Sequence, residues 1–169
     1  MQIISENEKT RIFCPHNLQH ALDVARIGYI MISEGGYDIE KELFYSASLL
    51  HDAGRYSNKP HNESGAELAR KILPECGFTP EETELISNAI LGHRTDTQSD
   101  IFSKILYDAD KRSRICFECS AQKECYWENE KRNHTISICG TVNDYRKQRI
   151  QKRPHIYNGN TQHHSRFVF

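Results

Sequence analysis

Six positions in this 169-residue chain carry side chains suited to metal chemistry: His20, the adjacent pair His51-Asp52, His61, His93 and Asp110. Each of the four histidines lies beside an apolar helical stripe or at a helix boundary, where an unpartnered imidazole is costly to bury. Such rings want partners. Neutral imidazole together with carboxylate suits one or two divalent transition metals from the set Mn, Fe, Co, Ni and Zn, and separate helices can turn their inward faces onto a common ion. A divalent ion so held lowers the pKa of bound water toward neutrality, which makes hydrolysis the natural chemistry.

The elements that must position these residues are helices. From His16 to about Glu34, Leu18, Leu22, Ala25, Tyr29 and Ile32 recur at three- and four-residue steps beside a stripe of His20, Val24, Ile27 and Met31, and Gly35-Gly36 ends the run. A second helix is expected from Asp38, as N-cap, through Leu43, Ala47 and Leu50 to His51 and Asp52, stopped by Gly54. A third covers Glu63 to Leu73, with Pro74 and Gly77 terminating it. Thr79-Pro80-Glu81-Glu82 combines a cap, a proline at the first helical position and a capping-box glutamate, and the helix it opens carries Leu85, Ile86, Ala89, Ile90 and His93. A fifth begins near Ser99, turns Ile101, Phe102, Ile105, Leu106 and Ala109 inward, and reaches Asp110. No segment alternates strictly between turn signals, so the fold class is all-α.

The order of the polar residues along these helices resembles that of the HD-domain metal-dependent phosphohydrolase superfamily. HALDVAR (His20 to Arg26) looks like the family's first histidine, LLHDAGR (Leu49 to Arg55) like its signature doublet, and ILYDADK (Ile105 to Lys111) like its closing aspartate. The resemblance spans about Cys14 to Lys111 and implies a helical bundle of five or more helices. It also implies that His20, His51, Asp52 and Asp110 hold a first metal. Asp108 is the rival for the last place, since only one of two aspartates two residues apart on a helix can face the ion; Asp110 is preferred because it matches the family's AD phrase. HNESGAELARKIL (His61 to Leu73) and ISNAILGHR (Ile86 to Arg94) resemble the extra histidines of two-metal HD proteins, including bacterial dinucleoside tetraphosphate hydrolases. His61 and His93 would then hold a second ion, with Asp52 bridging.

A paired site holds the attacking hydroxide while neutralising phosphate charge, so the expected reaction is cleavage of a phosphoester or phosphoanhydride in a nucleotide or similar small phosphorylated metabolite. With Asp52 as the central catalytic carboxylate, Arg55 and Lys111 are expected to contact the phosphate, as is Arg94. No glycine-rich phosphate loop and no Ser-His-Asp arrangement accompanies them. The alternative is an inactive HD regulatory module in which a cysteine cluster senses metal or redox state.

That cluster follows Asp110 directly. Cys116, Cys119 and Cys125 are spaced C-x2-C-x5-C, and closely spaced thiols in a reduced compartment suggest zinc or an iron–sulfur cluster. Cys14, Cys139 and His134 are candidates for a fourth ligand. The segment resembles cysteine-rich extensions of other HD domains, in which a cysteine precedes the first helix, and this favours Cys14. Cys76, at a helix end, is expected to be an ordinary buried thiol, and Tyr126 and Trp127 to pack against the cysteine segment rather than stack on a base.

Composition bounds the rest. Hydrophobic residues make up 37% of the chain, the net charge is -1, and no run approaches the ~20 apolar residues of a bilayer span. A soluble, cytoplasmic protein with no membrane partner is expected. Charge is uneven, with net +5 from Thr141 onward and -6 in the first 140 residues. The expected organisation is an HD domain over 1–113, a cysteine-rich extension over 114–140 and a basic tail over 141–169, read as a solvated terminus rather than a nucleic-acid-binding arm. His163-His164 in that tail is not assigned to a metal. Nothing in the sequence fixes an oligomeric state, so a homo-oligomer remains open.

Overall fold

The computed structural model describes Ile4, Glu6, residues 8–94 and residues 100–135. Cys139, His163-His164 and the basic tail lie outside them. Five α-helices run between Leu18 and Arg112: α1 (Leu18–Gly35), α2 (Lys41–Leu50), α3 (His61–Ile72), α4 (Pro80–Gly92) and α5 (Ile101–Arg112). No strand occurs among the described residues, as an all-α chain requires. No described helix is long and apolar enough to cross a membrane.

Helix α1 packs against α2 and α5, α3 packs against α4, and α2 also meets α4, so the core lies where the inward faces meet. Val24, Phe44, Ile86, Ile90, Ile105 and Leu106 are fully buried there. Removing such apolar area from water is the main favourable term in holding a bundle together. The face that α1 buries is Ala21, Val24, Ala25, Gly28, Met31 and Ile32, between the two stripes and drawing two residues from each. Leu18 and Leu85, expected inside, are 51% and 43% exposed. On α4 the buried face is set by Thr83, Ile86, Ser87 and Ile90, and Leu85 lies off it by one residue, about 100° around the helix.

The ends show which local signals decide. α4 begins as expected: the Glu82 amide donates to Thr79 Oγ1 at 3.2 Å while the Thr79 amide donates to Glu82 Oε2 at 2.7 Å. α5 is capped by Asp100, whose Oδ1 accepts from the Ser103 amide at 2.8 Å. α2 starts at Lys41 rather than at Asp38. The amides of Gly36 and Tyr37 close α1 on the carbonyls of Ser33 and Ile32, with Gly36 left-handed at φ 68°, so the chain needs residues 37–40 to turn back. α3 starts two residues earlier than expected, which makes His61 its first residue. Cys76, expected buried, is exposed in the short turn Pro74–Cys76 that follows α3.

One glycine sets the distance between the His51-Asp52 corner and α3. A Cβ on Gly54 would lie 2.0 Å from the His61 carbonyl oxygen and 2.5 Å from the Gly65 nitrogen, both backbone atoms that cannot swing aside. Gly54→Ala is therefore expected to lower stability by about 1–3 kcal/mol, the usual cost of overpacking. It should also weaken metal binding at the same corner. Urea unfolding checks the first effect, and stability equal to the parent chain's would show that the contact is not tight.

Candidate metal centre

One end of each of the five helices delivers the polar residues to one place. His20 lies in the first turn of α1, where its amide donates to Asn17 Oδ1 at 2.9 Å. His51 and Asp52 follow α2, His61 opens α3, His93 follows α4, and Asp110 sits in the last turn of α5. All six come together. His51, Asp52, His93 and Asp110 are buried, and Asp110, rather than Asp108, is the aspartate turned to the histidines.

The ring nitrogens not facing the centre fix the ones that do. His51 Nδ1 lies 2.7 Å from the Ser48 carbonyl and His93 Nδ1 lies 2.6 Å from the Ile90 carbonyl. A carbonyl only accepts, so in both rings Nδ1 carries the proton and Nε2 presents its lone pair inward, the orientation that such backbone contacts impose on metal-binding histidines. His20 Nδ1 meets Ser113 Oγ at 3.2 Å. The Nε2 atoms of His20 and His51 are buried with no hydrogen-bond partner. An orphaned acceptor in the interior is costly, and a cation removes that cost.

Asp52 divides its two oxygens. Oδ2 lies 3.2 Å from His51 Nε2 and 3.7 Å from His20 Nε2, whereas Oδ1 lies 3.4 Å from His61 Nε2. His61 and His93 bring their Nε2 atoms within 3.3 Å of each other. His20, His51 and Asp52 thus form one compact donor group and Asp52, His61 and His93 a second. Asp110 Oδ1 joins the first, 3.2 Å from His20 Nε2 and 3.9 Å from His51 Nε2. Nitrogen and carboxylate donors in this arrangement fit a divalent transition metal.

Cations surround the carboxylates on their other sides. Arg55 Nε donates to Asp52 Oδ1 at 2.8 Å, while Asp110 Oδ2 accepts from Lys111 Nζ and from Arg114 Nη2, the latter at 3.3 Å. Burial by itself would raise both carboxyls. For Asp52 the His51 imidazole first, then His16 and Arg55, outweigh it; for Asp110 the nearby His20 imidazole, Arg114 and Lys111 do so, and both acids sit well below the usual carboxylate range. Above these groups opens a cavity of ≈ 200 Å³. Five cationic side chains, Arg11, Arg55, Arg94, Lys111 and Arg114, line it.

Sequence reasoning missed two of the participants. His16 is buried, its Nε2 3.7 Å from Asp52 Oδ2 and its Nδ1 2.7 Å from Glu8 Oε1. Its spacing of four residues from His20 was a usable signal; the Glu8 contact was not, because it closes through an irregular turn. Arg114 was hidden because the helix ends before it. Trp127, expected against the cysteine segment, instead lines the cation-rich cavity with the Arg114 guanidinium 4.1 Å from its ring, and Tyr126 is 72% exposed and touches Phe13 edge-on.

Acid should loosen this centre when chelator keeps it free of metal. Burial drives His16, His61 and His93 from the ordinary 6.5 down to about 4. The unfolded chain therefore takes up protons first, and stability present at neutral pH is lost as pH falls from about 6.5 to about 4. His51 works with the opposite sign: burial pulls it down, but Asp52 and Asp110 hold it above its ordinary value. Three rings outnumber one, so Tm in chelator is expected to fall between about pH 7 and pH 4.5. A flat or rising Tm would contradict these burial effects.

Comparisons with known proteins agree with this geometry. Residues 17–115 match the model of the HD domain family. An uncharacterized protein of Clostridium beijerinckii is 44% identical over 133 residues, covering 76% of this chain and 84% of that one. A bifunctional uridylyltransferase/uridylyl-removing enzyme of Gluconobacter oxydans is 43% identical over 53 residues, 31% of this chain but 6% of the enzyme. The crystal structure of a predicted HD superfamily hydrolase from an uncultured Thermotogales bacterium superposes with a TM-score of 0.60 at 25% identity, covering 89% of this chain and 84% of that one. With its His-Asp doublet buried among the converging imidazoles, this chain belongs to the HD-domain family of metal-dependent hydrolases.

Proposed function

We propose that the protein hydrolyses a phosphoester or phosphoanhydride bond in a nucleotide or similar small phosphorylated metabolite. The observation that carries this reading is a centre of inward-facing imidazoles and carboxylates beneath a cavity lined by five cations. His20, His51, Asp52 and Asp110 would hold one divalent ion, and His61 and His93 a second, with Asp52 serving both. A metal there supplies Lewis acidity, which acidifies water and offsets charge on phosphate oxygens.

The chain's own residues do the remainder. Arg55, Arg94 and Lys111 bind and orient the phosphate, and Arg55 also fixes the rotation of the Asp52 carboxylate through its 2.8 Å contact. His16, oriented by Glu8, stands beside Asp52 on the first donor group, where its neutral ring presents Nε2 and can accept a proton as a general base. The partial match to enzymes named for uridylyl removal supports a nucleotidyl-type substrate. Free thiols at Cys14, Cys76, Cys116, Cys119 and Cys125 fit a reducing compartment, and we place the protein in the cytoplasm.

His51→Ala and Asp52→Ala are expected to lose bound metal and turnover together, by more than the ~100-fold that removal of an outer-shell partner costs. Glu8→Gln should retain the metal and lower kcat by roughly 10–100-fold, the effect expected of a misoriented imidazole. Arg94→Ala should raise KM about tenfold, ~1.4 kcal/mol of binding, with kcat little changed. A screen of phosphorylated metabolites with each divalent metal, followed by these kinetics, checks all three. Metal-replete protein inert toward every phosphoester and phosphoanhydride would instead favour the regulatory module.

A further inference from the structure

The cysteines share one space, which His16 and His20 of the metal centre also border. Cys14, Cys116, Cys119 and Cys125 all line a cavity of ≈ 380 Å³ between the turn that precedes α1 and the segment that follows α5. None is in a disulfide, and each is only partly covered. We propose that these four thiols ligate a four-iron, four-sulfide cluster seated in that cavity.

Spacing decides between a cluster and a single zinc ion. Zinc bonds sulfur at ~2.3 Å in a tetrahedron, which brings its sulfurs to ~3.8 Å from one another. Among the described residues, no three cysteine sulfurs lie within 4.8 Å of one another. A cubane instead spreads its four thiolates around a body that is itself several ångströms wide. All four cysteines line the cavity, and its ≈ 380 Å³ leaves room for the larger guest.

The backbone is bent to deliver Cys14. It is the one non-glycine residue with positive φ, 49°, among those described. A left-handed cysteine is strained and persists only where its surroundings impose it. They do: Arg11 Nε donates to the carbonyls of Phe13 at 2.8 Å and Cys14 at 3.0 Å, and Phe13 packs edge-on against Tyr126, next to Cys125.

The opposite wall is held by polar ties rather than by a core. Arg132 donates to the carbonyls of Trp127, Gln122 and Cys125, Gln122 donates to the Cys116 carbonyl, and Asn133 donates to the carbonyls of Lys111 and Arg114. A segment with so little buried apolar area needs a staple, and metal ligation supplies one. Ligation releases the four thiol protons and leaves the assembly anionic. Arg114 and Arg132 line the same cavity and Arg11 clamps its rim, so the charge is met by three guanidinium groups.

Protein purified without oxygen, or reconstituted with equal ferric and ferrous iron and sulfide, tests this by assay of iron, acid-labile sulfide and zinc. About four sulfides per chain are expected, with broad visible absorption that bleaches on reduction. Cys116→Ser and Cys119→Ser should lose the sulfide and Cys76→Ser should keep it. His51→Ala should also keep it while losing the other metal, so the two sites can fail separately. Zinc without sulfide, sulfide-free thiols in the reconstituted wild-type chain, or sulfide retained in both Cys116 and Cys119 variants would each overturn the proposal.

Discussion

Two buried carboxylates and a ring of imidazoles whose lone pairs point at them are the constraint on which this structure depends. Asp52 and Asp110 are held well below the usual carboxylate range and almost wholly removed from water, and His20 and His51 each turn a buried nitrogen toward those carboxylates without making a hydrogen bond. Burying such groups is tolerable only when opposite charge is close and geometry is fixed. The backbone carbonyls of Ser48 and Ile90 fix the geometry by holding the other nitrogens of His51 and His93. A divalent cation would complete the arrangement.

The helices can be understood as the means to that end. Ligands come from the first turn of α1, the corner after α2, the start of α3, the corner after α4 and the last turn of α5. Helix ends and corners leave room for an ion that a closely packed helix interior would not. Gly54 permits the corner after α2 to touch α3, so backbone contact rather than side-chain packing sets the separation of the two donor groups. Around them the guanidinium and ammonium groups serve twice, holding the carboxylates charged and facing the cavity where an anion would sit.

What could be read from the sequence was whatever is encoded locally. The capping box at Thr79 and the glycine stop at Gly36 are written in a few adjacent residues, and both appear as expected. The six centre residues stood out because histidines and acids recur at helix boundaries, where their types are otherwise costly. The start of α2 was misjudged because capping of α1 draws in Tyr37, and Leu18 and Leu85 were misplaced because periodicity gives a stripe but not which side of it packs. Glu8 could not be tied to His16 from spacing, since an irregular turn brings them together. The cavity between Cys14 and the later cysteines is likewise a tertiary property; C-x2-C-x5-C gave the ligand types but not the width of the cage.

The most direct test of the account is anomalous diffraction from crystals grown with manganese or another divalent transition metal, recorded at that metal's absorption edge. A peak bonded to Nε2 of His20 and His51 and to the carboxylates of Asp52 and Asp110 is the predicted result. Ordered water or a salt bridge in that position, with the metal bound elsewhere or not at all, would contradict it.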